Sequence, residues 1–234
     1  MPFCEVLQLH MPSLFPLKAF EEFVNKVRGV TLPGSEARRE FGGASNLIGW
    51  RFRACVEDKE GYMASWRQYG ADVSFDIIYI RERLLFATFV SGLSCVEATV
   101  YACYALASYP NVFGLPFDEK IRQFGSGPKQ LKEKLQAINP SIALVSVLEE
   151  LVASDQWSLW KNFRNTMTHR SNLPRIVYAA MGGPLPPANP LEFASTWSSK
   201  ALSGDEATFN EMLSWLASSL ERLLRAGAQL ANKG

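Results

Sequence analysis

Three polar residues lie on one face of a helix that the sequence predicts over residues 156–170. Asn162, Asn165 and His169 follow i, i+3, i+7 spacing, which places their side chains on the same side of an α-helix. Arg164 lies five residues before His169. That separation is about 140° around the helix, but the long arginine side chain can swing to the same cleft. The spacing therefore predicts one groove lined by all four side chains.

These residue types suit the cleavage of a phosphodiester bond in RNA. An imidazole titrates near neutral pH, so His169 can take a proton from a ribose 2′-hydroxyl or return one to the leaving 5′-oxygen. The guanidinium fork of Arg164 can bind phosphate and stabilise the charge that builds in the transition state. Asn165 can orient the imidazole or the substrate. The plainer interpretation is a surface helix end, where cations are favourable near the C-terminus and need no further role.

Other common catalytic signatures are missing from the chain. There are two histidines, His10 and His169, and no H-E-x-x-H or comparable ligand cluster, so no metal site is predicted. The stretch 125–129 lacks the spacing of a phosphate-binding G-x-x-x-x-G-K-[ST] loop, and Pro128 removes a backbone donor. A G-x-S-x-G nucleophile elbow is absent too, and nothing in the sequence indicates a cofactor.

The composition is that of an ordinary globular protein, with 234 residues of which 47% are hydrophobic and 20% charged. A formal net charge of +1 gives the whole chain no bias toward nucleic acid or anionic membranes. Between Lys120 and Arg175, however, Lys and Arg number nine against four acids. This local excess favours an RNA partner, although a solvated helix face has the same composition.

Several features favour a cytoplasmic protein that does not enter a membrane. The four cysteines show no metal-site or disulfide spacing, which predicts reduced, buried thiols. Residues 1–20 lack a basic start followed by an uninterrupted apolar core, so no signal peptide is predicted. Leu84–Tyr109 is long and apolar enough to span a bilayer, but the central helix of a bundle has the same composition and is the preferred interpretation.

Hydrophobic periodicity and turn residues predict a mainly α, up-and-down bundle of four to five core helices. The predicted helices cover residues 17–27, 74–108, 129–138, 142–153 and 156–170, and a last helix follows a capping-box sequence at Ser203–Glu206. The Pro- and Gly-rich stretch 182–190 predicts an irregular loop before that last helix.

The N-terminal region, residues 1–75, is predicted to be an irregular, partly β elaboration of unknown role beside a helical domain over residues 76–234. Trp50–Val56 alternates in the manner of a short strand, and Glu57–Gly61 would form its turn. The Gly- and Pro-rich stretch 31–34 predicts a break in the chain before it.

The segment Arg164-Asn165-Thr-Met-Thr-His169 resembles the hallmark of HEPN domains (higher eukaryotes and prokaryotes nucleotide-binding), which is Arg-x4-6-His with a polar residue directly after the arginine. The resemblance extends over about residues 75–231 as a pattern of helices. It implies, for active members, a metal-independent endoribonuclease that leaves a 2′,3′-cyclic phosphate. The site of such members is formed across a homodimer by two copies of the motif, whereas other members are inactive binding or scaffolding domains.

The resemblance also implies roles for individual residues. Arg164 would contact the phosphate and His169 would act as general base or acid, with Asn165 in support. HEPN domains often carry a polar or acidic residue on the preceding helix that orients the motif, which implies a supporting role for Glu97. The residues themselves leave two interpretations of Glu97: a buried carboxylate paired with Arg164 or Arg170, or an exposed acid on a thin polar stripe.

The leading hypothesis is therefore a homodimeric, HEPN-like RNA-cleaving protein, and the resemblance associates it with bacterial defence or toxin–antitoxin systems and with an antitoxin or other protein partner. The alternative is a non-catalytic HEPN-like module that binds a nucleotide or a protein. A third interpretation is an unrelated helical protein in which the motif arose by chance.

Overall fold

The computed structural model describes residues 1–30, 34–70, 73–125, 127–169, 175–176, 192–194, 201–203 and 205–233. The protein is mainly α-helical, as predicted. Its helices are α1 (Leu17–Val30), α2 (Glu36–Tyr69), α3 (Phe75–Ala107), α4 (Glu119–Phe124), α5 (Pro128–Ile138), α6 (Ala143–Ala153), α7 (Asp155–His169) and α8 (Glu206–Leu230), with a 3-10 turn at Ala231–Lys233. The strands β1 (Phe3–Cys4) and β2 (Leu9–His10) pair antiparallel, and β3 (Arg175–Ile176), β4 (Glu192–Ala194) and β5 (Ala201–Ser203) form an antiparallel sheet in that order. The loop predicted at residues 182–190 lies outside the described residues.

The two longest helices, α2 and α3, form an antiparallel pair at the centre of the fold. Arg81 Nε donates to Ser65 Oγ at 3.0 Å, near the connection between the helices. Toward their other ends, Tyr101 donates a hydrogen bond from its hydroxyl to Glu40 Oε2 at 2.9 Å. The chain thus reverses between α2 and α3, and the helix predicted over residues 74–108 is confirmed as α3.

The strand predicted at Trp50–Val56 is wrong, because α2 runs through this segment without a break. The fully buried residues Ile48, Phe52, Cys55 and Tyr62 recur at helical spacing over the longer stretch. The apparent alternation came from a window of about two helical turns, which is too short to distinguish a period of 3.6 from a period of 2. The predicted turn after the strand is likewise part of the helix.

Residues on both sides of position 75 contribute to one buried core. The irregular, partly β region that was predicted is confirmed over the residues before α1, whereas α1 and α2 are helices of that core. α8 reaches α1 and α3 at Gly227, where an added Cβ would lie 2.8 Å from Cys103 Sγ and 2.9 Å from Phe23 Cε2. The division of the chain into two domains at residue 75 stays a prediction.

Two helix starts differ from the predicted ones by one or two residues. Asp155 is the first residue of α7, and Ser154 accepts a hydrogen bond on Oγ from a backbone N–H of the first turn at 3.2 Å. α8 begins after Asp205, whose Oδ1 accepts from Thr208 N at 2.8 Å, rather than in a capping box at Ser203–Glu206. Serine and aspartate are equally good caps, so the sequence does not decide between neighbouring candidates.

The four cysteines are free and buried, as predicted: Cys4, Cys55, Cys95 and Cys103 are each 0% exposed. Burial raises the pKa of the Cys55 and Cys95 thiols well above its ordinary value and raises the pKa of Cys103 to about 12. These three thiols are therefore protonated and unreactive at neutral pH.

Among the described residues, α3 is the one helix that is long and apolar enough to cross a membrane by length and composition. Of its most apolar window, 56% is buried against the rest of the protein. The core helix of a bundle meets the same criteria, since it too is apolar on most of its faces.

Candidate active site

Helix α7 carries the candidate motif and is held against α3 by buried aromatic side chains. Trp160 is 2% exposed and meets the ring of Phe89 edge-on, with centroids 5.2 Å apart. Phe163 packs on the same Phe89 ring at 4.8 Å. The indole lies so close to Gly92 that an added Cβ there would be 2.4 Å from Trp160 Cζ3. This packing fixes the rotation of α7 and therefore the direction in which Arg164 points.

Arg164 points toward α3 and forms an ion pair with Glu97. The Nη2 atom of Arg164 lies 3.4 Å from Glu97 Oε1, and the two side chains are 29% and 43% exposed. Of the two interpretations of Glu97 that the sequence leaves open, the structure supports the pairing with Arg164. The pair is half-buried at the edge of the α3–α7 contact, within reach of solvent.

Burial raises the pKa of Glu97, and the positive charges of Arg164 and Lys161 offset only part of that effect. The carboxylate therefore loses more hydration on folding than the two cations restore. Lys161 lies three residues before Arg164, on the same side of α7, and its positive charge lowers the pKa of the same carboxylate. Sequence reasoning missed Lys161, although this spacing from Arg164 was the signal that could have identified it.

Replacing Glu97 with glutamine should leave the protein as stable as the wild type at neutral pH, or stabilise it by less than about 1 kcal/mol because the site is partly exposed. The folded protein holds the Glu97 proton more tightly than the unfolded chain, so the wild type should lose stability relative to Glu97→Gln as the pH rises. The loss begins near about 4.3, the pKa of glutamate in an unfolded chain, and is complete above the raised pKa of the folded state. Urea unfolding of both proteins between about pH 4 and pH 7 measures this difference.

A wild type that gains stability over Glu97→Gln across that range would mean that the attraction of Arg164 outweighs the burial of the carboxylate. Glu221→Gln is a matched control, since Glu221 forms an exposed ion pair with Arg225 at 2.7 Å on α8. Loss of that i, i+4 pair should cost about 0.3–0.5 kcal/mol.

The guanidinium of Arg164 also carries a buried donor that no described residue satisfies. Its Nε atom is buried and forms no hydrogen bond with any described residue, and the same holds for Trp160 Nε1 and Gln156 Oε1. These three residues recur every four positions, so their polar atoms mark successive turns on one side of α7. Unsatisfied buried polar atoms are rare and costly in proteins.

The other residues of the predicted groove have different environments. Asn165 is exposed and Asn162 is half-buried. His169 is the last residue of α7, and its side chain lies outside the described part of the chain, as does all of Arg170. The structure thus brings Arg164 to Glu97, leaves Asn165 in solvent, and places His169 on the helix backbone five residues beyond Arg164.

The basic surface predicted between residues 120 and 175 is partly neutralised by acids. Lys132 lies 3.6 Å from Glu149, and Lys129 lies 4.0 Å from Glu133. The ammonium of Lys134 instead lies 5.9 Å from the centre of the Tyr104 ring. The preference for an RNA partner that the local charge excess suggests stays a prediction.

Within the described ranges, no group of three or more His, Cys, Asp or Glu side chains could hold a metal ion. Two small pockets in these ranges lie away from the motif, one between α6 and α8 and the other between α1 and α2, and Arg164 lines neither.

No protein-family model matches the chain, and neither curated proteins nor solved structures gave a match. The resemblance to HEPN domains therefore rests on the residues of the motif and on the helical bundle that carries it.

Proposed function

We propose that this protein is a HEPN-like, metal-independent endoribonuclease that cleaves RNA through Arg164 and His169 on α7. The observation that carries the proposal is the ion pair between Arg164 on α7 and Glu97 on α3, the helix against which α7 packs. A cation at a surface helix end needs no partner on another helix. An arginine that must hold a phosphate benefits from a partner on another helix. The partner fixes the guanidinium, which then loses less conformational freedom when it binds the phosphate.

The proposed reaction forms one bond and breaks one bond at phosphorus. His169 takes the proton of the ribose 2′-hydroxyl, the 2′-oxygen attacks the phosphorus, and the bond to the 5′-oxygen breaks. The leaving 5′-oxygen receives a proton from an imidazolium, which the second copy of the motif supplies in a homodimer. Arg164 holds the non-bridging oxygens as their charge grows. The products are a 2′,3′-cyclic phosphate and a 5′-hydroxyl end.

The remaining residues take supporting roles in this proposal. Asn165 is exposed and therefore free to contact the substrate or the imidazole. Glu97 positions Arg164, and Arg170, outside the described residues, would add a further positive charge beside the motif. The protein would work as a cytoplasmic homodimer without membrane contact, in a defence or toxin–antitoxin setting where an antitoxin or another protein restrains it.

The same ion pair favours a second candidate function, a non-catalytic HEPN-like module that binds a nucleotide or a protein. The Glu97 carboxylate is 43% exposed and neutralises Arg164, so it competes with an incoming phosphate. Such a module would retain its ligand without cleaving it.

Incubating the purified wild-type protein with a mixed RNA pool in EDTA tests the proposal. We expect cleavage, with cyclic-phosphate and 5′-hydroxyl ends, because the mechanism needs no metal. RNA in which every 2′-oxygen is methylated should stay intact, since it lacks the nucleophile. RNA that is bound but not cut would favour the binding module, and cleavage of the methylated RNA would contradict the mechanism.

A further inference from the structure

A polar pocket of about 150 Å³ lies between α1 and α2, on helices that carry no residue of the Arg164 site. It is lined by Arg28, Arg38, Phe41, Gly42, Ser45 and Asn46 among others. The two arginines come from the end of α1 and the start of α2, so the pocket exists only because these helices meet. None of these residues belongs to a motif that the sequence predicts.

The contact between the two helices fixes one wall of the pocket. Arg38 Nη1 donates to the backbone carbonyl of Arg28 at 3.1 Å, which anchors its guanidinium at the end of α1. Ser45, 3% exposed, donates its hydroxyl hydrogen to the carbonyl of Gly42 at 2.9 Å and is satisfied within the helix. The donors that remain to face a ligand are therefore the guanidinium of Arg28 and the side-chain amide of Asn46, beside the anchored Arg38.

Arg28 brings to the pocket a positive charge that no described acid neutralises. Within the described part of the chain, Arg28 forms no ion pair with an acid. The neighbouring acids at the start of α2 are engaged elsewhere, since Glu36 pairs with Arg122 and Glu40 accepts the hydroxyl hydrogen of Tyr101. Two guanidinium groups beside an amide, with the nearby carboxylates turned away, are suited to an oxyanion.

We infer that the pocket between α1 and α2 binds a phosphate group through Arg28, Arg38 and Asn46. The phosphate can belong to a small phosphorylated compound or to the backbone or end of an RNA chain, and its recognition is the same in either case. The site is independent of the proposed cleavage, because it shares no residue with the motif on α7.

Gly42 allows a test that blocks the pocket without changing its charge. An added Cβ at Gly42 would meet no atom within 4 Å, so α2 can accept a side chain there, and a leucine would fill the pocket. Gly43 has the same open surroundings but does not line the pocket, so Gly43→Leu is the matched control. Arg28→Gln removes a ligand-facing charge, and Arg39→Gln removes the neighbouring charge that does not line the pocket.

The experiment is a titration of the full-length protein with inorganic phosphate at constant ionic strength, followed by the rise in its thermal midpoint. We expect saturable binding that Arg28→Gln weakens about tenfold, equivalent to about 1.4 kcal/mol, and that Gly42→Leu abolishes. Gly43→Leu and Arg39→Gln should bind as the wild type does. No saturable effect on the wild type, or equal binding by the Gly42→Leu and Gly43→Leu proteins, would overturn the inference.

Competition then identifies the source of the phosphate. Short RNA with a 5′-phosphate and the same RNA with a 5′-hydroxyl are compared as competitors of inorganic phosphate in the Gly43→Leu background and in the wild type. Competition by both RNAs supports a site for the RNA backbone. Competition by the 5′-phosphate RNA alone supports a site for a terminal phosphate. Competition by neither supports a site for a small phosphorylated compound.

Discussion

Replacing His169 with alanine should slow RNA cleavage about 10²–10⁴-fold, because a positioned general acid–base contributes that much to catalysis. Arg164→Ala should slow it about 10²–10³-fold through the loss of charge stabilisation in the transition state. Arg164→Lys keeps the charge but loses the guanidinium fork, so its rate should stay well below that of the wild type. Initial rates on a defined oligoribonucleotide in EDTA, with kcat and KM determined separately, measure these effects.

The chain offers its own control for the histidine. His10, the other histidine, is exposed on β2, and His10→Ala should cleave at the wild-type rate. If His169→Ala cleaves as fast as His10→Ala, His169 has no catalytic role.

Loss of the arginine needs a separate control, because Arg164→Ala leaves Glu97 without its partner. The double variant Arg164→Ala/Glu97→Gln removes that unpaired carboxylate. It should therefore recover stability while remaining inactive. Recovery of activity together with stability would mean that Arg164 acts only through the fold.

Replacing Trp160 with alanine should lower the free energy of unfolding by about 3–5 kcal/mol, the usual cost of deleting a large buried aromatic side chain. Its indole is 2% exposed and packs on Phe89 and Gly92, so its removal leaves a cavity between α7 and α3. For a protein of this size the thermal midpoint should fall by about 6–20 °C. Calorimetry or urea unfolding measures the change.

Trp50 is the matched control, because it is 52% exposed on α2. Trp50→Ala should cost less than about 1 kcal/mol, since most of its surface already faces water. Equal losses from the two substitutions would contradict the described packing of α7 on α3. Because this packing also positions Arg164, a folded Trp160→Ala protein should show impaired cleavage even though Trp160 takes no part in the chemistry.

Long helices with continuous apolar faces were predictable from the sequence. α3 is confirmed almost to the residue, because its 33 residues hold many turns of consistent burial and Pro110 follows its end. The shorter helices α5 and α6 are also confirmed, because turn residues on either side of each mark its ends.

The helix predicted over residues 17–27 is confirmed as α1 (Leu17–Val30), but α2 was not predictable in the same way. α2 contains Gly42, Gly43, Gly49 and Gly61, which lower the helical propensity of the segment. At two of these positions the packing explains why the residue is glycine. An added Cβ on Gly49 would lie 2.1 Å from Leu7 Cδ1, and one on Gly61 would lie 3.3 Å from Leu84 Cδ2. Tertiary contacts with the N-terminal segment and with α3 thus accommodate residues that locally disfavour a helix.

The sequence by itself determined that Arg164, Asn165 and His169 share one helix, because spacing and helical periodicity are local properties. Only the tertiary structure decided that Arg164 turns toward Glu97 and that the charge of Lys161 acts on the same carboxylate, since Glu97 lies 67 positions from Arg164 in the chain. The rotation of α7 that produces this contact comes from the packing of Trp160 and Phe163 against Phe89. Such packing depends on the shapes of side chains from distant parts of the chain, and no local pattern encodes it.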